Sequence, residues 1–370
     1  MAIHNPLTDK PLLELRGLTK RYGRFTAISG LDLSVGNGEL VTLLGPSGSG
    51  KSTILALIAG FQMPSSGEIR LSGQDISRLA PGQRELGVVF QHYALFPHMT
   101  VAENVGYPLK LRGWDIARRR RRVQDILELV KLVGHEAKSP RQLSGGQQQR
   151  AALARVLAFE PPLLLMDEPL SSLDREIRGE MKAEIRRIHR ELGTTILYVT
   201  HDREEAIVLS DRIAILRDGH LVAVGPPAEL FMMPPSAFVA RFFSGSNILT
   251  VTEFTIAEDG WARIWLGDKE ARVRSFVRAT GPRTCLVLPP HDLRLEPGPG
   301  MPRLPAQITD VVNLGEEIEV TFLIDGGEQV VGRFPFGAVQ TLSLGQHIDL
   351  YLSLDRAALV TDDIGIGNAK

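Results

Sequence analysis

Lys51-Ser52-Thr53 closes the run Gly45-Pro46-Ser47-Gly48-Ser49-Gly50. That spacing, G-x-x-x-x-G-K-S, is the one that grips phosphate groups. The glycines let successive backbone N–H groups point inward, and such donors cradle phosphate oxygens at a helix N-terminus. Lys51 brings a positive charge to the β- and γ-phosphates, and the Ser52 hydroxyl can sit on Mg²⁺. Two adjacent carboxylates, Asp167 and Glu168, follow the apolar run 163–166 (LLLM). Asp167 can hold Mg²⁺, directly or through water, and Glu168 can accept a proton from an attacking water. The alternative for this pair is a helix N-terminal cap, which Pro169 permits. Gln91 ends the apolar run 86–90 (LGVVF). An amide at a strand's carboxyl end beside a phosphate loop is placed to touch Mg²⁺ or water; a strand cap is the other reading. His201 follows 195–199 (TILYV) and Thr200. A lone histidine there is usually structural, but this one shares a sheet edge with Gln91 and Asp167. Tyr22, in Lys20-Arg21-Tyr22-Gly23, is either an ordinary surface aromatic or a ring ahead of the loop that stacks on a nucleobase.

These groups need strands and helices to place them. Residues 39–44 (ELVTLL) read as a buried strand into the loop and 54–58 as the helix leaving it, the context that makes the motif credible. Residues 12–18 and 31–35 suggest an antiparallel edge layer, and 67–73 a further strand. From 101 to 140 helical periodicity takes over, with Val123, Ile126, Leu127, Leu129, Val130 and Leu132 apolar. Five consecutive arginines, 118–122, open that helix. They suit a solvated face or an anionic-lipid contact better than nucleic acid, because basic patches with aromatics are lacking elsewhere. Ser144 precedes Gly145, Gly146 and Gln147 and a helix at 151–159. It caps a second helix start able to bind an anion. That start shares a phosphate site with the P-loop only if the fold, or a second copy of the chain, brings it there. Residues 171–174 (SSLD) open a helix that Gly193 stops. Residues 204–209 form a helix, and 212–216 and 220–224 flank an Asp218-Gly219 hairpin turn.

The chain has 370 residues, formal net charge -1, 43% hydrophobic and 23% charged residues. That is long enough for two or three domains, and its balance argues against a general nucleic-acid binder. Its one cysteine, Cys285, gives no disulfide framework and fits a packed strand. The N-terminal MAIHNPLTDKP lacks the apolar segment of a signal peptide. No apolar run is long enough to span a bilayer, so membrane contact is expected only through a partner. Composition shifts at Ser244-Gly245-Ser246. Beyond it, strands at 248–254, 262–266, 284–288, 306–314, 318–324, 329–334 and 347–352 alternate with Gly/Pro turns, the pattern of a small all-β barrel.

Taken in order, the loop 45–53, Tyr22, Gln91, LSGGQ at 143–147, LLLMDEP at 163–169, SSLD at 171–174 and His201 resemble the ATP-binding-cassette (ABC) ATPases. The run 90–105 (FQHYALFPHMTVAENV) is similar to the solute-importer subgroup. GSNIL at 245–249 and AQITDVVNLG at 306–315 resemble the regulatory module of maltose, polyamine, sulfate and ferric-iron importer ATPases. Leu288-Pro289-Pro290-His291-Asp292 departs from that module's usual Arg-Pro-Glu stretch, which blurs the substrate.

The resemblance implies an α/β P-loop NTPase cassette over 1–243, with a helical subdomain at about 92–160. A C-terminal all-β OB-like (TOBE) barrel would occupy 244–358, with a tail at 359–370. ATP and Mg²⁺ are the implied cofactors. Tyr22 would stack on adenine, and Gly45, Pro46, Ser47, Gly48, Ser49, Gly50, Lys51, Ser52 and Thr53 would bind the phosphates. Ser52, Gln91 and Asp167 would hold the metal, Glu168 would be the base, and His201 would bond the γ-phosphate. Ser144, Gly145, Gly146 and Gln147 would close over the nucleotide of a second subunit, with Asp174 organising the interface of a head-to-tail homodimer.

The function implied is ATP hydrolysis coupled to import of a small solute through transmembrane permease subunits, with a solute-binding receptor acting indirectly. The chain would lie peripherally on the cytoplasmic face of a bacterial inner membrane and bind no nucleic acid. The tail leans to the polyamine group; ferric-iron, sulfate, phosphonate and sugar importers are the alternatives. Outside transport, the competing class is an ABC-type regulatory or binding protein, which the intact Lys51, Asp167, Glu168 and His201 oppose.

Overall fold

A computed structural model describes residues 10–251, 253–257, 260–266, 269–277, 284–338 and 342–362. The N-terminal residues 1–9 and the tail from 363 lie outside the described residues. Contacts divide the chain into two units, 1–227 and 228–370.

In the first unit the strands are β1 (Leu13–Tyr22), β2 (Phe25–Val35), β3 (Leu40–Leu44), β4 (Ser66–Leu71), β5 (Gln74–Asp75), β6 (Gly87–Val89), β7 (Leu163–Asp167), β8 (Thr195–Thr200), β9 (Arg212–Arg217) and β10 (His220–Gly225). The helices are α1 (Lys51–Ala59), α2 (Val101–Leu111), α3 (Ile116–Leu129), α4 (Gly145–Leu157), α5 (Arg175–Leu192) and α6 (Arg203–Leu209). A six-stranded sheet runs β10-β9-β3-β8-β7-β6, parallel except for the β9–β10 hairpin. Its interior strands are buried on both faces, so they read as unbroken apolar runs. Along β3, Val41 and Leu43 pack with α1 and the antiparallel sheet β2-β1-β4-β5. Leu40, Leu164, Met166 and Tyr198 face the other way, onto α2, α3, α4 and α5. Parallel strands send all their carboxyl ends to one edge, where open α/β sheets bind ligands. The loop 45–53 leaves β3 there, Gln91 lies beyond β6, Asp167 ends β7 and His201 follows β8.

Asp174 and Gly193 cap α5 at its two ends, as the SSLD and glycine signals imply. In α3 the arginine run is more than a solvated face. Val123, Ile126 and Leu127 form the buried stripe. Arg122 donates to the carbonyls of Leu157 and Ala158 at the end of α4, where a cation complements the helix dipole. Arg118 stacks over Trp114 at 3.7 Å.

The second unit is β-rich. One six-stranded sheet runs in space Asn247–Thr250, Thr284–Leu288, Ala358–Thr361, Lys269–Ser275, Trp261–Leu266, Phe254–Ile256, with one parallel pairing between Lys269–Ser275 and Ala358–Thr361. A five-stranded sheet runs Leu293–Arg294, His347–Leu352, Arg303–Asn313, Glu317–Ile324, Gln329–Pro335 and is antiparallel throughout. Its two edge strands come back into contact, so it curls into a nearly closed, OB-like barrel. Cys285 is buried in its strand. Several strands escape the sequence reading: Lys269–Ser275 is mostly charged with only Val273 buried, and Phe254–Ile256, Leu293–Arg294 and Ala358–Thr361 are short. The division at 227 precedes the composition shift at Ser244. Within the second unit, Ala237, in the helical turn Ala237–Val239, and Ala240, opening the turn Ala240–Ser244, pack with Val287 and Val360.

Candidate nucleotide-hydrolysis site

The P-loop is shaped by close approach. A Cβ on Gly45 would lie 2.5 Å from the Leu216 carbonyl and 2.6 Å from Ser49 Oγ, so only glycine fits there. Gly50, at φ 99°, caps α1 in the left-handed region, with Ile28 of β2 against it. Lys51 Nζ donates to the carbonyls of Gly45 at 2.8 Å and Pro46 at 2.9 Å, folding the side chain back over the loop. Burial lowers the Lys51 pKa, and the nearby Glu168 and Asp167 carboxylates oppose that shift. Ser49 is buried, and its Oγ has no hydrogen-bond partner among the described residues.

Ser52 Oγ donates to Asp167 Oδ1 at 3.3 Å, which joins the start of α1 to the end of β7. Burial raises the Asp167 pKa; the Ser52 bond and Lys51 pull it down while Glu168 pushes it up. One residue on, Glu168 sits at φ 42°, a left-handed conformation that costs a side-chain-bearing residue about 1–2 kcal/mol. Its N–H donates to the Val199 carbonyl at 3.0 Å, and its own carbonyl accepts from Ser171 Oγ at 2.8 Å. Those bonds hold the carboxylate toward β8, where Glu168 Oε2 lies 3.2 Å from His201 Nδ1. The alternative reading of Asp167-Glu168 as a helix cap does not hold, because the next helix is capped by Asp174, which accepts from the Ile177 N–H at 3.0 Å.

The structure therefore brings Lys51, Ser52, Asp167, Glu168 and His201 together at one sheet edge. Gln91 is exposed beyond β6, whose residues 87–89 pair with 164–166 of β7. Tyr22 lies at the tip of the β1–β2 hairpin, 45% exposed, with its hydroxyl on Gln62 Oε1 and Lys20 Nζ 5.1 Å from its ring centroid. Ser144 caps α4 with Gln147 in a reciprocal box, and Gln147 also meets His135 at 3.1 Å. A Cβ on Gly146 would lie 2.9 Å from Ile177 Cγ2, so the start of α4 packs tightly on the start of α5. Among the described residues no hydrogen bond links 144–147 to the P-loop, and Asp174 acts here as a cap within its own chain.

The residues present fit a magnesium nucleotide. Ser52 and Asp167 put two hard oxygens side by side, and among the described residues no group of three or more His, Cys, Asp or Glu forms a metal cage. Mg²⁺ is held in that manner, by one or two protein oxygens together with substrate phosphates.

The ABC transporter family model matches residues 28–171. The spermidine/putrescine import ATP-binding protein PotA of Nitratidesulfovibrio vulgaris is 41% identical over 86% of this chain and 88% of its own length. The chain belongs to the ABC transporter family, in the group of importer ATP-binding subunits. It is an ATPase. The sulfate/thiosulfate import ATP-binding protein CysA of Thermosynechococcus vestitus is 40% identical over 87% of this chain and 90% of its own length. Among solved structures, cbiO1 from Clostridium perfringens superposes with a TM-score of 0.57 at 29% identity, covering 60% of this chain and 91% of that one. A dimeric ATP-binding cassette in a post-hydrolysis state bound to ADP and Pi gives 0.52 at 34% identity, covering 58% of this chain and 98% of that one.

Several residues that organise the site were absent from the sequence reading. Glu205 is buried and accepts from Tyr198 at 2.9 Å and Thr200 at 2.8 Å, tying α6 to the strand that ends at His201. Burial raises its pKa, opposed by those two bonds. Tyr93 shares a 2.8 Å hydrogen bond with Ser172, and Arg155 grips the turn at Tyr93. The signal for Arg155 was available: one arginine inside the apolar run AALARVLA.

Proposed function

We propose that this chain hydrolyses MgATP as one half of a homodimer that drives import of a small solute through transmembrane permease subunits. The observation that carries this reading is the meeting of Lys51, Ser52, Asp167, Glu168 and His201 at one sheet edge, while Ser144 caps a separate helix start. Backbone N–H groups of residues 47–53 and Lys51 bind the phosphates, and Tyr22 stacks on the adenine. Ser52, Asp167 and Gln91 hold Mg²⁺, which neutralises charge on the transferred phosphoryl group when bound. Glu168 takes the proton of the attacking water and His201 donates to the γ-phosphate. Ser144, Gly145, Gly146 and Gln147 complete the site of the second subunit, and Asp174 lies at that interface. Closure on ATP then supplies the free energy that moves the permease.

An apolar groove of about 460 Å³ near Gln91 supports a permease contact; Phe61, Phe90, Phe96, Leu111 and Phe159 are among its lining. Among the described residues no helix is long and apolar enough to cross a membrane, which fits peripheral attachment to the cytoplasmic face of a bacterial inner membrane. The β-rich module, 244–358 by sequence, is read as regulatory. For the solute we favour a polyamine, on the PotA similarity and the lean of the tail. Sulfate is the second reading, because CysA matches almost as well. Reconstitution with the permease and receptor decides between them. ATP-dependent uptake of labelled spermidine without sulfate uptake is expected; sulfate uptake alone overturns the polyamine reading. Absence of any ATP-driven uptake by the assembled complex overturns the transport reading itself.

A further inference from the structure

Just past Gln91 the backbone does something unusual. Tyr93 and Ala94 stand consecutively in the left-handed region, at φ 59° and 47°. Side-chain-bearing residues seldom adopt it even singly, and such strain persists only where surroundings over-determine it. Two features hold this turn. Arg155 donates from Nη1 to the Ala94 carbonyl at 2.7 Å and from Nη2 to the Tyr93 carbonyl at 3.1 Å. Tyr93 itself is buried, and its hydroxyl is 2.8 Å from Ser172 Oγ.

Each partner belongs to a different part of the site. Arg155 is in the last turn of α4, the helix that Ser144 begins. Among the described residues none of the ion pairs includes Arg155, so its guanidinium is committed to these two carbonyls and to the Phe96 ring, 5.5 Å away. Ser172 lies in the loop 171–174, whose first residue bonds the carbonyl of Glu168 through Oγ at 2.8 Å. A continuous path therefore runs from Glu168 through Ser171 and Ser172 to Tyr93, then through Arg155 along α4 to Ser144.

We propose that Arg155 and Tyr93 are positioning residues for hydrolysis. Arg155 holds the turn after Gln91 in its left-handed form, so that the Tyr93 hydroxyl anchors the loop carrying the Glu168 backbone. Neither side chain touches the nucleotide. Their effect is on how often Glu168 is aimed, and so on kcat rather than on ATP affinity. The inference rests on the ATPase reading above. It adds that the helix begun by Ser144 and the base Glu168 are mechanically joined within one chain.

The test uses the full-length chain, with hydrolysis rate, KM for ATP and melting temperature measured together. Wild-type turnover abolished by Glu168→Gln secures the underlying reading; turnover that survives that substitution removes the base, and this inference with it. With the base secured, Tyr93→Phe deletes one hydroxyl and is expected to lower kcat 3- to 10-fold with KM unchanged. Ser172→Ala should do the same, and the double variant should be no worse than either single one, since both delete one bond. Arg155→Met should lower kcat further. Ala94→Gly removes the conformational cost that Arg155 offsets, so adding it to Arg155→Met should recover part of the loss, whereas Arg155→Lys keeps one donor and should sit between. If Arg155→Met fails to fold, the Tyr93 and Ser172 cycle still decides. Wild-type kcat in Tyr93→Phe, additive effects in the cycle, or losses confined to KM or melting temperature overturn the proposal.

Discussion

The parallel sheet of the first unit buries its interior strands on both faces, the antiparallel barrel of the second buries every other side chain, and their strand ends differ in use as well. In the parallel sheet, strands β3, β6, β7 and β8 all deliver their carboxyl ends to one edge, and a phosphate loop, an amide, two carboxylates and a histidine emerge there. In the barrel, successive strands reverse, so each end is divided between incoming and outgoing chain and is joined by turns such as Asp325-Gly326-Gly327. Gathering chemistry at one edge requires crossover connections, and the helices that make them, α1 and α4 among them, double as the scaffold of the site. Antiparallel strands need only short turns. The second unit accordingly keeps its polar groups in pairs that brace the fold, such as Asp292 with Arg356, where the buried carboxylate raises the arginine pKa.

The sharpest way to break this contrast is at Glu168. Glu168→Gln keeps the shape of the side chain and the Ser171 bond, which uses the backbone, but removes the carboxylate proposed as the proton acceptor. Turnover is expected to fall about 10²- to 10⁴-fold while nucleotide still binds, measured by steady-state hydrolysis alongside equilibrium binding. Turnover within a factor of two of wild type would remove Glu168 as the base.

In the second unit the comparable lesion is one of packing. Phe322 is fully buried and meets Phe334 edge-on at 6.2 Å. Phe322→Ala should cost about 3–5 kcal/mol of stability. Calorimetry of the full chain is expected to show the transition of the β-rich unit moving down while that of the cassette stays. A single transition that shifts as a whole would mean that the two units unfold together.

Tyr22 tests the hairpin beside the site. Tyr22→Ala should weaken nucleotide binding by about 1–3 kcal/mol with turnover at saturation preserved. Unchanged affinity in a nucleotide titration would leave Tyr22 as a surface ring bonded to Gln62.

These regions also differ in how far their sequence announces them. Lys51, Asp167, Glu168 and His201 are each legible because a short apolar strand delivers a residue whose type suits only a few tasks. The caps at Ser144, Asp174 and Gly193 are legible for the same local reason. Long-range partners are not. Nothing in the spacing of Tyr93 and Ser172 marks a contact 79 positions apart, and two consecutive left-handed residues without glycine contradict local preference. The strand Lys269–Ser275 was hidden because most of its residues are charged and only Val273 is buried, although it forms a local antiparallel hairpin with Trp261–Leu266. The Arg118 to Arg122 run misleads in the opposite direction, since charge alone does not reveal that Arg122 caps the end of α4.

The smallest expected effect lies at the end of the parallel sheet away from the P-loop. There His189, in the last turn of α5, faces Asp211 just before β9, with Nε2 3.5 Å from Oδ2 and Nδ1 2.9 Å from the Thr194 carbonyl. The Asp211 bond raises the His189 pKa against the opposing effect of burial. For Asp211 burial acts upward, but His189 and the Leu40 N–H outweigh it and leave the carboxyl below its ordinary value. A histidine whose folded pKa is raised contributes stability that is full below its unfolded value, about 6.5, and lost as pH rises through the folded value. Asp211 adds a contribution present above about 3.9 that is lost as pH falls through its lowered folded value. The pair is therefore expected to be strongest between those limits and to fade on the alkaline side, by an amount of order 0.5–1 kcal/mol. Melting temperatures of wild type and His189→Gln should differ most near pH 5–6 and converge above the histidine's folded pKa. A difference that stays constant across that range would show that His189 acts by packing and its Thr194 bond rather than by charge.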